Sequence, residues 1–140
     1  MTTEAAAPLR ILLLDDDAFM LDVLAAMVAD LGPHQVLRET DARRCLAALP
    51  QLAPDLLICD LGMPGMDGIE FLRGAAAGRF QGCVLLLSGM EAGVLRAAER
   101  LARAQGLAIL GASPKPLPAP LLAQLLHCAI AHRAAAAPPI

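Results

Sequence analysis

Carboxylates follow two apolar runs of the chain at the points where those runs end. Asp15, Asp16 and Asp17 follow residues 11–14, and Asp60 follows residues 56–59. Carboxylates brought close together repel one another and raise each other's pKa, so such a group is typical of a site that normally holds a cation. Mg²⁺ is the simplest candidate, because it binds through few carboxylates together with phosphate oxygens. The two runs predict a metal site if the fold brings their ends together.

The elements that would position these carboxylates are five short apolar strands that alternate with five helices. Short aliphatic runs between helical patterns are typical of buried parallel strands. We predict strands at 10–14, 34–40, 56–59, 83–87 and 107–110, and helices at 18–31, 41–50, 69–76, 91–105 and 119–133. This alternation predicts an α/β fold with one five-stranded parallel sheet, covered by helices on both faces through right-handed crossovers.

Polar residues also follow the fourth and fifth predicted strands. Ser88 and Gly89 follow the fourth strand, and Lys115 lies just past the fifth. Ligands of open α/β sheets bind beyond the carboxyl ends of the strands, so these residues are expected at the same edge as the aspartates. Lys115 is the one lysine among 11 basic residues, which favours a chemical role for its ammonium group.

Length and composition limit the class of protein. A chain of 140 residues, 57% hydrophobic, suits one domain, for which we expect residues 9–133, with a disordered segment 1–8 and a tail or linker at 134–140. The net charge of −3 argues against direct nucleic-acid binding. No apolar run reaches the ~20 residues of a membrane helix, so we expect a cytoplasmic protein. The four cysteines lack metal-ligand spacing and are predicted to be buried free thiols.

The residues after the strands, together with the loop Asp60-Leu61-Gly62-Met63-Pro64-Gly65-Met66-Asp67-Gly68, resemble the receiver domain of two-component response regulators. The resemblance extends from Ile11 to about Arg133. It implies a doubly wound, flavodoxin-like (βα)5 fold. It also implies a phosphoacceptor switch that is no enzyme beyond its own phosphorylation and dephosphorylation, with a histidine kinase or phosphotransfer protein as partner.

The same resemblance assigns the site residues. It makes Asp60 the phosphoacceptor and places Mg²⁺ between Asp15, Asp16, Asp60 and the backbone carbonyl of Gly62. The switch and phosphate-binding group is Ser88, Gly89 and Lys115, and Lys115 assists Asp60 in the chemistry. The resemblance further implies a cis peptide bond between Lys115 and Pro116.

One position departs from the family pattern. An aromatic residue is expected three residues before the lysine, but Ala112 stands there, so the sequence lacks the aromatic partner of the usual coupling of hydroxyl and aromatic. The long stretch between Ser88 and Lys115 is similar to receivers fused to EAL-type cyclic-di-GMP phosphodiesterase domains. That similarity implies an output domain beyond residue 134, and the family implies a possible homodimer through the fourth and fifth helices.

Other interpretations of these residues remain open at this stage. One of the three successive aspartates, most simply Asp17, is predicted to cap the following helix. A haloacid-dehalogenase-type phosphatase would use Asp15 and Asp17, but it needs an acidic residue after Lys115, and none occurs up to Ile140. A receiver-like module that docks without phosphorylation is the other alternative, and Ala112 favours it.

Overall fold

A computed structural model describes residues 8–63, 68–89 and 92–136. Five parallel strands form one sheet in the order β2-β1-β3-β4-β5, which confirms the predicted architecture. The strands are β1 (Arg10–Leu14), β2 (Gln35–Glu39), β3 (Leu56–Asp60), β4 (Cys83–Ser88) and β5 (Ala108–Pro114). The helices are α1 (Ala18–Ala29), α2 (Ala42–Leu52), α3 (Gly68–Ala77), α4 (Ala92–Ala104) and α5 (Ala119–Ala136).

The sheet separates two hydrophobic cores, because successive side chains of a strand point to opposite faces. Leu12 and Leu14 of β1 pack with α2, α3 and α4, whereas Ile11 and Leu13 pack with α1 and α5. β3 and β4 are buried along their whole length, as expected for central parallel strands. Continuing the alternation past β1 and along β3 places Asp15 and Asp60 on the same side of the sheet, toward α1 and α5.

Several boundaries differ from the prediction for local reasons. α2 continues past Pro50 to Leu52, because a proline in the last turn removes a single hydrogen bond and the Ala53 N–H still donates to the Leu49 carbonyl at 2.8 Å. β5 is longer than predicted and shifts register against β4 between Val84 and Leu85, so its residues 111–114 continue the pairing. The sequence did not predict this extension, because glycine and other small residues do not form an apolar run.

The C-terminal helix α5 runs three residues past the predicted end, to Ala136, since alanine favours helix. Cys45, Cys59 and Cys83 are buried free thiols as predicted, but Cys128 is exposed on α5, which corrects that prediction. Within the described ranges, no helix is long and apolar enough to cross a membrane. The predictions for residues 1–7, for 64–67 of the loop after β3, for Glu91 and for 137–140 lie outside the described residues.

Candidate functional site

Asp15 lies directly after β1 and is held from three directions. Only 1% of its surface is exposed. Its backbone N–H donates to the Glu39 carbonyl at 3.2 Å, and its Oδ1 accepts the Asp17 N–H at 2.9 Å. Its Oδ2 accepts a hydrogen bond from Nζ of Lys115 at 2.8 Å. These contacts fix the carboxylate at the carboxyl edge of the sheet.

Asp60 is the last residue of β3 and is 6% exposed. Its Oδ1 accepts the Gly62 N–H at 3.0 Å, and its Oδ2 lies 3.1 Å from Nζ of Lys115. Burial raises the pKa of the Asp60 carboxyl, the neighbouring Asp15 carboxylate adds to the rise, and the bonds from Gly62 and Lys115 oppose it. The ionised form of Asp60 is therefore less stable in this structure than an ionised carboxylate in water, and added positive charge would stabilise it.

Lys115 brings one ammonium group between two buried carboxylates. Its backbone N–H donates to the Ser88 carbonyl at 3.0 Å, which ties the end of β5 to the end of β4. The Lys115–Pro116 peptide bond is cis, as predicted. Burial works to lower the pKa of Lys115, but the hydrogen bonds to Asp15 and Asp60 outweigh it and raise that pKa. Lys115 is therefore protonated, and its single positive charge faces the two buried carboxylates of Asp15 and Asp60.

The three carboxylates of the site fit a hard divalent cation. Asp16 is exposed beside the buried pair, and one oxygen from each of Asp15, Asp16 and Asp60 lies within 4.8 Å of the others. The ligand atoms in this cluster are all oxygen, which is the type that Mg²⁺ binds. The cluster has three carboxylates, whereas among the described residues only one ammonium group contacts it. Gly62, whose carbonyl was predicted to complete such a site, lines the same pocket.

The neighbouring polar residues line the pocket, and one of them also caps a helix. Ser88 is fully buried at the end of β4, and it lines the pocket together with Gly89. Asp17 caps α1, because its Oδ1 accepts the Phe19 N–H at 2.9 Å, which confirms the predicted capping role of Asp17. Ala112 packs against the core on the α2–α4 side and brings no ring to it.

Two features of the pocket went beyond what the sequence indicated. The bridge of Lys115 to both Asp15 and Asp60 was not predicted, although the isolated lysine signalled a special role. The Gly62 backbone was predicted only as a carbonyl donor, whereas its N–H also binds Asp60. The pocket otherwise contains the predicted set together with Asp17, since its lining residues are Asp15, Asp16, Asp17, Asp60, Gly62, Ser88, Gly89 and Lys115.

The fold and the site define a doubly wound parallel α/β protein with an acidic pocket beyond its strand ends. Residues 11–109 match the response regulator receiver domain family, and the chain belongs to that family. A receiver domain is a phosphoacceptor switch of two-component systems. This membership removes the haloacid-dehalogenase-type phosphatase from consideration.

Individual relatives agree with the family. The chain is 32% identical over 109 residues to the cyclic di-GMP phosphodiesterase RocR of Pseudomonas aeruginosa, covering 77% of this chain but 28% of that protein. A crystal structure of a response regulator from Colwellia psychrerythraea superposes with a TM-score of 0.74 at 30% identity, over 89% of this chain and 98% of that one. The chemotaxis protein CheY4 of Vibrio cholerae shares the fold, with a TM-score of 0.71 at 23% identity over 88% and 99% of the two chains.

Proposed function

We propose that this receiver takes a phosphoryl group on Asp60 from a histidine kinase or a phosphotransfer protein in the cytoplasm. The observation that carries the proposal is the pairing of two buried carboxylates, Asp15 and Asp60, with the single ammonium group of Lys115. A site with this excess of negative charge is suited to a cation and, once a cation is bound, to phosphoryl oxygens.

In the proposed transfer, an oxygen of the Asp60 carboxylate forms a bond to phosphorus as the bond from phosphorus to the donor's imidazole nitrogen breaks. Asp15, Asp16, Asp60 and the Gly62 carbonyl would hold Mg²⁺, which supplies positive charge to offset the phosphoryl oxygens. Lys115 would exchange its contact with Asp60 for a phosphoryl oxygen. The Ser88 hydroxyl and the Gly89 backbone would bind the remaining oxygens.

The test is covalent labelling of the whole chain with acetyl phosphate and Mg²⁺, read by intact mass. One added phosphoryl group is expected in the wild type, and none in Asp60→Asn. Asp30→Asn is the matched control, since Asp30 is an exposed aspartate at the end of α1. Labelling of Asp60→Asn at the wild-type level, or an unlabelled wild type under conditions that label another receiver, would contradict the proposal and favour a phosphorylation-independent docking module.

The output of the switch is also part of the proposal. RocR is named a phosphodiesterase, and this chain spans 28% of it, so an EAL-type phosphodiesterase domain is the output partner that this similarity favours. A homodimer through α4 and α5 is the other candidate readout. Sedimentation velocity with and without acetyl phosphate separates the two, because only the second predicts a phosphorylation-dependent change in the mass of this chain alone.

A further inference from the structure

A second pocket lies at the amino ends of the strands, which form the edge of the sheet opposite to the acidic site. It encloses about 420 Å³ between the C-terminal ends of α2, α3 and α5, within the range of small-molecule sites. Its walls are largely apolar and include Leu46, Leu49 and Phe80. Gly74, Gly78 and Gly82 also line it. The pocket is therefore a cavity of useful size that the acidic site does not use.

The charges around this cavity favour an anion. Arg79 and Arg133 line it, and Asp55 is the one carboxylate among the described residues that do. Asp55 already accepts the Arg10 N–H at 2.8 Å and pairs with Arg133 at 3.3 Å. No described carboxylate forms an ion pair with Arg79, so the lining has an excess of positive charge.

The backbone around Arg79 is a second indication. Arg79 has φ 58° just after α3, where its N–H donates to the Ala76 carbonyl and the following Phe80 N–H donates to the Ala75 carbonyl. This left-handed position after a helix is normally filled by glycine, because a side chain there is strained. Arg79 is exposed and lines the cavity from such a position at an energetic cost, which a binding role would explain.

We propose that this cavity binds a small apolar monocarboxylate, aromatic or aliphatic, with its carboxylate on Arg79 and its hydrocarbon part against Leu46, Leu49 and Phe80. A planar guanidinium pairs with a carboxylate through two parallel hydrogen bonds, which suits this ligand class. A monoanion with an apolar body also matches a pocket in which apolar surface dominates and few polar groups converge. The ligand would bear on α2, α3 and α5 from the edge remote from Asp60.

The test is titration of the ¹⁵N-labelled full chain with phenylacetate, followed through glycine amide resonances. Saturable shifts are expected at Gly74, Gly78 and Gly82, while Gly62 and Gly89 at the acidic site report non-specific or Lys115-directed binding. Phenylacetamide, the neutral analogue, is the matched ligand control and should bind at least about fivefold more weakly, because it lacks the charge-assisted bond.

Two variants separate the charge of the cavity from the general charge of the protein. Arg79→Gln should weaken phenylacetate binding by about fivefold or more, whereas Arg73→Gln should leave it unchanged, since Arg73 is exposed on α3, six residues before Arg79, but does not line the cavity. The proposal is overturned by equal binding of the acid and the amide, by equal effects of the two variants, or by shifts centred on Gly62 and Gly89. Shifts at Gly74 that depend on protein concentration alone would also overturn it, because they would assign the cavity to a second copy.

Discussion

The two edges of the sheet hold buried or half-buried aspartates in opposite electrostatic balance. At the carboxyl edge, Asp15 and Asp60 share Lys115, and Asp16 adds a further negative charge. At the other edge, Asp55 binds both a backbone N–H and the guanidinium of Arg133. The same fold thus leaves negative charge in excess at one edge and neutralises it at the other.

This difference distinguishes a site suited to binding a cation from a set of internal contacts that stabilises the fold. Asp55 joins the start of β1, the start of β3 and the C-terminal half of α5, and Arg133 also donates to the Pro8 carbonyl at 3.0 Å. Oδ2 of Asp55 accepts both the Arg10 N–H and the Arg133 guanidinium from within the protein. At the carboxyl edge the contacts hold the carboxylates in place but leave their charge incompletely balanced, which favours a cation from solution.

Replacing Lys115 should break the balance at the carboxyl edge most severely. Lys115→Met leaves Asp15 and Asp60 facing each other without a cation, and we expect a loss of roughly 2 kcal/mol in the free energy of unfolding, less than for a fully buried pair because Lys115 is partly exposed. Urea denaturation in Mg²⁺-free buffer measures it. Adding Mg²⁺ should restore part of the loss, and an unchanged midpoint with Mg²⁺ would contradict the proposed cation site.

Replacing Asp55 tests the opposite edge. Asp55→Ala removes the acceptor of the Arg10 N–H and of Arg133, and we expect a smaller loss of about 1.5 kcal/mol. Because this edge holds no excess of carboxylates, Mg²⁺ should stabilise the variant by the same amount as the wild type. A variant whose response to Mg²⁺ differed from that of the wild type would show that the two edges are not independent.

The sequence predicted the carboxyl edge better than the opposite edge for a physical reason. Every residue of the acidic pocket ends a strand or lies within three residues after one, so apolar runs ending in Asp15, Asp60 and Ser88 reveal it. The opposite cavity forms where three helices end, and its size depends on side-chain packing between residues as distant as Leu46 and Arg133. No local sequence pattern predicts that the ends of these three helices meet. The sequence also did not predict the left-handed backbone of two non-glycine residues in the described part of the chain, Ala53 and Arg79.

The left-handed conformation of Arg79 predicts a stabilising substitution at the opposite edge. Arg79→Gly should raise the free energy of unfolding by roughly 0.5–1 kcal/mol, because glycine adopts φ 58° without strain. Arg73→Gly is the control with the opposite sign, since a glycine inside α3 should destabilise the protein by about 1 kcal/mol. Chemical denaturation of both variants measures the effect. A destabilised Arg79→Gly would mean that the arginine side chain contributes more to packing than its backbone costs.

The smallest expected effect is a pH dependence at the opposite edge, through His34. The backbone N–H of Leu9 donates to Nδ1 of His34 at 3.0 Å, so this ring nitrogen must be unprotonated. Burial lowers the pKa of His34 below its ordinary value of 6.5, and the charge of Arg133 lowers it further. The unfolded chain therefore takes up a proton more readily, and stability should fall as the pH drops from 6.5 through the lowered pKa of the folded state.

Denaturation midpoints between pH 7.5 and pH 5.5 should shift less in His34→Gln than in the wild type. His127→Gln, at an exposed histidine of α5, should keep the wild-type slope, and an identical slope in all three proteins would exclude His34 as its source.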